Sequence, residues 1–328
     1  LLSFVLTVFN VVQPTTHILS AIAIILTDTI NNSSISPTIP YIPTISKLFE
    51  YAGQIEDSIQ EDSECVSKLN DLASSVISLC SSDEKDRIER NMQAFETLGV
   101  LIASFNEDIL QLNDQCMGIL VETFENEPST KILKIVCRSI ALIAASQNNK
   151  SKLESYADRI RSKLLSINFS QIDSAYLFIC LWTLRILLEN GIIDPSSDDC
   201  QSVAPYLAEI FSSADPRNIL LSTSIFMQMP TAALQSLDSL ASSLKNQVLD
   251  HQIVMSYAKL IELCATQDSS ATEKLLISLI ESEYEKADKD KLDDITPNVA
   301  FVIGFVSGNI MEIGDKLLQD FQDKLLNH

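Results

Sequence analysis

The chain has 328 residues, of which 46% are hydrophobic, and it contains only 7 Gly and 10 Pro. This composition can supply a large core but little of the turn chemistry of a sheet protein, so it favours helices with short connections. A formal charge of −21 argues against a nucleic-acid partner, because phosphates require a basic surface. The same charge suits a basic protein partner, or it simply keeps a large helical surface soluble.

Two apolar runs, Leu1–Val12 and Ile18–Leu26, stand at the start of the chain and are separated by Gln13–His17. Neither run reaches the roughly 20 residues that a membrane-spanning helix needs, so we predict two short core helices and no membrane span. The sequence has no initiator Met and no basic leading segment. We therefore expect no signal peptide and expect the chain to be part of a longer protein.

A pair of amphipathic helices is predicted next, over residues 38–59 and 62–79. Apolar residues recur at three- and four-residue spacing along one face of each helix. In the first helix these are Ile42, Ile45, Leu48, Phe49 and Ala52. In the second they are Val66, Leu69, Leu72, Ala73, Val76 and Leu79. Each face must be buried against another helix, so the two helices are expected to form one hairpin.

The same unit recurs along the chain with a period of about forty residues. The further predicted pairs are 82–104 with 106–124, a helix opening at 127–129 with 150–167, 170–190 with 200–212, 215–229 with 231–248, 250–266 with 269–286, and 297–307 with 309–326. Helix pairs at this interval are typical of HEAT and armadillo solenoids, whereas tetratricopeptide units are shorter and more uniform. We predict an all-α superhelix of seven or eight HEAT-like hairpins, forming one continuous solenoid over residues 1–328.

Three segments carry a family resemblance: Lys47–Ala52, Glu61–Leu69 and Ala94–Gly99. Together they resemble HEAT units of karyopherin-β nuclear transport receptors. That resemblance implies a curved superhelix that binds a basic cargo, a Ran-type GTPase and the Phe-Gly repeats of nucleoporins. The amino-terminal Ran-binding repeats of the family are not recognisable here, which puts GTPase binding in doubt. Apolar helix faces joined by acidic turns also occur in adaptins, phosphatase scaffold subunits and condensin-type subunits.

Residue patterns of catalysis, metal binding and cofactor binding are missing from the sequence. His17, His251 and His328 lie far apart, and no two cysteines have the spacing of a zinc knuckle. Gly304–Gly308 lacks the Lys and the preceding strand of a phosphate-binding loop, and Gly308 is expected to end a helix. No Gly-x-Ser-x-Gly elbow occurs. We predict a protein that is not an enzyme and that holds no metal or cofactor.

Three groups of acidic residues are the candidate protein-binding sites. The first, called the acidic turn below, consists of Glu56, Asp57, Glu61, Asp62 and Glu64. The second lies in the loop Gly191–Cys200 and includes Asp198 and Asp199, although that loop could be a plain connector. The third includes Glu281 and Glu285 and is interrupted by lysines. Each group could hold a basic segment of a partner, but charged turns in solenoids are often only solvated.

The seven cysteines are scattered through apolar stretches, which indicates buried thiols, a reducing compartment and hence a cytoplasmic or nuclear location. Trp182 lies on a helix that is apolar nearly all round and is expected in the core. The predicted function is a non-catalytic scaffold, most concretely a karyopherin-like receptor. The alternative is a structural subunit of a larger assembly, such as a coat adaptor, a phosphatase scaffold or a chromosome-organising complex.

Overall fold

The computed structural model describes residues 15–32, 41–80, 88–105, 113–146, 150–213, 215–288 and 296–326. Every regular element within these ranges is a helix. The chain divides into two compact units, Leu1–Leu164 and Leu165–His328. The predicted all-α class and the stacking of successive helix pairs are confirmed. One continuous solenoid over residues 1–328 stays a prediction.

The first predicted helix, Leu1–Val12, lies outside the described residues, and from Ile18 onward the helices of unit 1 follow the predicted order. They are α1 (Thr16–Asn31), α2 (Tyr41–Gln54), α3 (Glu56–Gln60), α4 (Ser63–Cys80), α5 (Ile88–Ser104), α6 (Asn113–Asn126), α7 (Thr130–Ala145), α8 (Lys150–Glu154) and α9 (Ala157–Leu165). Helices α2, α5 and α7 pack against one another in succession, while α1 packs against α4 and α6 against α8. Each of these helices therefore contacts its counterpart in the neighbouring pair, as in an α-solenoid.

The core of unit 1 uses the predicted apolar faces. Ile45, Leu48, Phe49 and Ala52 of α2 are fully buried. In α4 the whole predicted stripe is buried except Val66, which is half-buried. Helices α2 and α5 also approach closely at Gly53. A Cβ atom added there would lie 2.1 Å from the carbonyl oxygen of Ser104, so only glycine fits without a shift of the backbone.

Unit 2 repeats the arrangement. Its helices are α10 (Ser174–Glu189), α11 (Asp198–Gln201), α12 (Ala204–Glu209), α13 (Pro216–Phe226), α14 (Pro230–Gln235), α15 (Leu237–Asn246), α16 (His251–Gln267), α17 (Ser269–Asp288), α18 (Thr296–Asn309) and α19 (Met311–Leu326), with 3-10 turns at Phe169–Gln171 and Ile210–Ser212. One layer contains α10, α13, α16 and α18 in sequence, and α15, α17 and α19 follow one another in the other.

An aspartate caps the amino terminus of each of three consecutive helices in the first layer. Asp173, Asp215 and Asp250 accept hydrogen bonds from backbone N–H groups of α10, α13 and α16 at 3.0, 3.0 and 2.8 Å. These caps satisfy donors that a helix leaves unpaired at its start. The connections before α13 and α16 lie at one edge of unit 2, because these two helices pack side by side.

Several predicted helices are broken in the structure. The predicted helix 38–59 is α2 and α3, separated at Ile55; residues 33–40 are outside the described ranges. The predicted helix 150–167 is α8 and α9, and 200–212 is α11, α12 and a 3-10 turn. The predicted helix 231–248 is α14 and α15, which ends at Asn246. Apolar spacing predicts which residues are buried but cannot locate such breaks. Two short consecutive helices bury residues at nearly the same spacing as one long helix.

Candidate protein-binding surfaces

Of the five acidic residues in the acidic turn, two are buried or bonded within the fold and three are exposed to solvent. Glu56 is buried at 8% exposure, so its carboxylate is not a surface contact. Asp62 is half-buried and accepts a hydrogen bond from the backbone N–H of Cys65 at 3.1 Å, which caps α4. That hydrogen bond, the Thr16 hydroxyl and the weaker influence of His17 lower the pKa of Asp62, despite partial desolvation.

The exposed members of the acidic turn are Asp57, Glu61 and Glu64. None of them forms an ion pair with a Lys or Arg among the residues that the structure describes. Three carboxylates on a short turn therefore present an uncompensated negative surface to solvent. Such a surface attracts a lysine- or arginine-rich segment, and the attraction weakens as salt screens it. Binding at the acidic turn stays a prediction.

The loop Gly191–Cys200 is held firmly against α10 and α11. Gly191 has a φ of 65° and ends α10 in a Schellman motif, with the Ile192 N–H bonded to the Leu187 carbonyl at 2.9 Å. Asp194 then accepts hydrogen bonds from the N–H and hydroxyl of Ser196 at 2.8 and 2.7 Å, and both lower the pKa of its carboxyl. Asp198 and Asp199 are exposed in the first turn of α11. The loop is an ordered connector that displays two carboxylates.

Glu281 and Glu285 lie four residues apart on α17, and both are exposed. Between them, Glu283 forms an ion pair with Lys286 at 2.9 Å. The further acidic residues that follow in the sequence, Asp290, Asp293 and Asp294, are outside the described ranges. Within unit 2, α11 belongs to the first helix pair and α17 to the third. The structure therefore places the second and third predicted acidic groups on separate helix pairs.

A surface cleft of about 440 Å³, called the edge cleft below, lies where the connections before α13 and α16 meet. Its apolar lining consists of Pro216, Ile219, Val248, Leu249 and Ile253. Its polar lining consists of Ser213, Gln247 and Asp250. The volume is in the range of pockets that hold small ligands or side chains, about 300–1,000 Å³.

The connection Gln247–Asp250 forms one wall of the edge cleft. Gln247 is extended, with φ −128° and ψ 142°, and Asp250 is extended as the cap of α16. Successive side chains of an extended segment point to opposite sides. Accordingly Leu249 is 8% exposed, whereas Val248 is 75% exposed. Val248 is therefore an apolar side chain that lies outside the core of unit 2.

The edge cleft was not predicted from the sequence, because Val248 falls within the predicted helix 231–248, whereas α15 ends at Asn246. The lining comes from two connections about 35 residues apart in the chain and from the first turns of the helices that follow them, which meet only when α13 packs against α16. If the predicted helix had ended at Asn246, Val248 and Leu249 would have formed an apolar pair in a four-residue connection without Gly or Pro. An apolar pair in a connection was the one sequence feature that could have indicated the edge cleft.

Asp215 stands beside the edge cleft and is already paired. It forms a two-pronged contact with the Arg217 guanidinium, at 2.8 and 3.1 Å, and accepts a hydrogen bond from the Ser174 hydroxyl at 2.8 Å. The guanidinium, and then the hydroxyl, hold the pKa of Asp215 well below its usual range. By contrast, Asp250 forms no ion pair with a Lys or Arg in the described part of the chain.

The similarity of this chain to known proteins is a similarity of fold only. No protein-family model matches the chain, and no curated protein sequence matches it. The crystal structure of one engineered protein is similar with a TM-score of 0.51 at 14% identity, over 89% of this chain and 68% of that one. Two further engineered proteins have TM-scores of 0.47 and 0.42 at 14% and 11% identity. They cover 74% and 83% of this chain and 98% and 97% of their own.

Within the described ranges, no group of three His, Cys, Asp or Glu side chains is arranged to hold a metal ion. No described helix is both long enough and apolar enough to cross a membrane. Trp182 is half-buried rather than fully buried.

The seven cysteines all lie in described residues, form no disulfide, and are buried except for the half-buried Cys80. Burial raises the pKa of Cys116 and of Cys264 to about 12, which keeps both thiols protonated near neutral pH. A protonated thiol is a poor nucleophile. These two cysteines are therefore small apolar core residues in chemical terms.

Proposed function

We propose that this chain is a non-catalytic protein-binding scaffold. The observation that carries the proposal is the repeated packing of each helix pair against the next within both units. Because each pair buries its apolar face against its neighbours, the connections and outer helix faces remain as one extended surface per unit. Surfaces of this kind suit partners that make many dispersed contacts, and the charge of −21 favours partners with basic segments.

A finer proposal is that the chain acts as a karyopherin-β-like receptor for basic cargo. It rests on the resemblance of Lys47–Ala52, Glu61–Leu69 and Ala94–Gly99, which lie on α2, on the turn into α4 and on α5. The partners that follow from this proposal are a Ran-type GTPase, Phe-Gly nucleoporins and a cargo with lysines or arginines. A location in the cytoplasm and nucleus belongs to the same proposal.

The alternative is a structural subunit of a stable assembly, and the same stacked surface supports it. The two proposals differ in how binding responds to the GTPase. In a karyopherin, GTPase and cargo binding are thermodynamically coupled, so one changes the affinity of the other. In a structural subunit the partners form a fixed complex, and the GTPase does not change its composition.

The test is capture of partners by the immobilised chain from a lysate of its source cell, with and without GTP-locked Ran, at low and moderate salt. Basic cargo that the GTPase releases supports an importin-like receptor, and cargo retained only with the GTPase supports an exportin. Stoichiometric partners that ignore the GTPase support the structural subunit. Absence of any stoichiometric partner at either salt concentration would overturn the scaffold proposal.

A further inference from the structure

We propose that the edge cleft is a docking site for an extended peptide segment of a partner protein, in which an apolar side chain stands next to a lysine or arginine. This inference deepens the proposed scaffold function and rests on it. Three features of the edge cleft support it: an apolar lining with an exposed valine, an extended wall with unpaired backbone groups, and one uncompensated carboxylate.

The apolar lining accounts for the apolar side chain of the peptide. Ile219 and Ile253 are 2% and 3% exposed and form the floor, while Val248 is 75% exposed at the wall. Covering Val248 would remove apolar surface from water at no conformational cost to the floor residues, which are already packed. A leucine-sized side chain that enters the cleft contacts both wall and floor.

The extended wall accounts for the conformation of the peptide. Within the described part of the chain, neither the backbone N–H nor the carbonyl of Val248 takes part in a hydrogen bond. The next carbonyl, that of Leu249, accepts from the Asn298 amide at 3.3 Å, which ties the wall to α18. A segment that is extended at Gln247 and Asp250 and has free backbone groups at Val248 can pair with a peptide in the manner of strand addition.

The carboxylate accounts for the basic residue. One oxygen of Asp250 caps α16 at 2.8 Å, and the carboxylate remains exposed with no Lys or Arg partner among the described residues. Nearby Asp215 is neutralised by Arg217, so Asp250 is the charged group that the edge cleft offers. Unit 2 as a whole has ten Lys and Arg against 23 Asp and Glu, a net charge of −13. A cation is therefore favoured and a phosphate or acidic peptide is disfavoured.

The test is a fluorescence-anisotropy titration of the full chain with labelled nine-residue peptides. The probe has a Lys-Leu-Lys centre flanked by Gly and Ser, and its two controls replace Leu by Ser or both Lys by Glu. The protein variants are Val248→Glu and Asp250→Ser, since serine keeps the cap of α16 but removes the charge. Matched controls are Met311→Glu, at a residue 79% exposed outside the cleft, and Asp268→Ser, at an exposed aspartate that likewise caps a helix.

We expect Val248→Glu to weaken probe binding roughly tenfold, because it places a charge in the apolar contact. Nonspecific attraction of a basic peptide would instead be strengthened by the added negative charge, so this variant separates the two explanations. Asp250→Ser should weaken binding about three- to fivefold, with a reduced salt dependence. Met311→Glu and Asp268→Ser should leave the affinity within about twofold of the parent.

Equal binding by the parent and Val248→Glu would overturn the inference, and so would equal losses in Asp250→Ser and Asp268→Ser. A probe that binds no better than its Leu-to-Ser control would also overturn it. The titration uses purified protein and a synthetic peptide, whereas the scaffold proposal is tested by partner capture. Failure of one experiment is therefore distinguishable from failure of the other.

Discussion

Replacement of Gly53 by alanine tests the close packing of α2 on α5. A Cβ atom at this position would lie 2.1 Å from the carbonyl oxygen of Ser104, and 2.9 Å from its carbonyl carbon. Both contacts are to backbone atoms, so no side-chain rotation can relieve them. The helices must separate by more than about 1.3 Å to restore an ordinary contact distance of at least about 3.4 Å.

That separation acts on a well-packed part of the core. Phe49 and Phe105, both fully buried, meet edge to face with ring centroids 6.5 Å apart between the same segments. Overpacking of a core usually costs about 1–3 kcal/mol, whereas Gly to Ala in a helix interior stabilises by about 0.5–1 kcal/mol. We therefore expect Gly53→Ala to lower the free energy of unfolding by about 1–2 kcal/mol.

Gly118 supplies the matched control. It lies in the middle of α6, and among the described residues a Cβ atom there would meet only the Tyr156 hydroxyl, at 3.8 Å, an ordinary contact. Gly118→Ala should therefore stabilise the protein by about 0.5–1 kcal/mol. Urea unfolding followed by far-ultraviolet circular dichroism measures both effects. A Gly53→Ala midpoint at or above that of the parent would refute the close approach of α2 and α5.

Three further predictions concern charge and burial. Asp215→Ala should lower the free energy of unfolding at pH 7 by about 1 kcal/mol, the usual loss of a helix cap. Because the pKa of Asp215 is lowered in the folded state, its stabilisation is full above the unfolded pKa of about 3.9 and is lost as the pH falls through the folded pKa. Urea midpoints of both proteins should converge on acidification, and a constant gap would contradict this. Neutral amide variants of the exposed members of the acidic turn should leave the urea midpoint unchanged but weaken salt-sensitive partner capture. The control variant neutralises three other exposed carboxylates of unit 1, Asp114, Glu122 and Glu154, and should not weaken partner capture. Equal losses of capture in the two variants would show that the acidic turn has no specific role. A thiol reagent at pH 8 should modify the native cysteines slowly and all seven after unfolding in urea, whereas rapid native labelling of Cys116 or Cys264 would refute their burial.

Apolar spacing predicted the helix faces well because burial is set by which residues share a face. In α2 the predicted face residues from Ile45 to Ala52 enter the core, and in α4 the same holds for the whole predicted stripe except Val66. The aspartates that cap α13 and α16 also stand where the sequence placed helix starts. These features depend on a few neighbouring residues, so a single sequence expresses them.

The candidate site was harder to predict because charge in the sequence does not indicate exposure. Glu56 and Asp57 are adjacent acidic residues, yet the first is buried and the second is exposed. Asp62 was counted as a surface charge, but it serves α4 as a cap. The role of each carboxylate depends on which backbone donors and helices come near it after packing.

By itself, the sequence determined the helical class, the period of the helix pairs and the faces that become core, since all three follow from local apolar periodicity. Tertiary structure alone decided the breaks within helices, the close contact at Gly53 and the edge cleft. The edge cleft joins Pro216 and Ile219 to Val248 and Asp250 across the packed pair α13 and α16. A surface made by two connections requires the relative placement of their helices, and that placement comes from the sum of many side-chain contacts rather than from any local pattern.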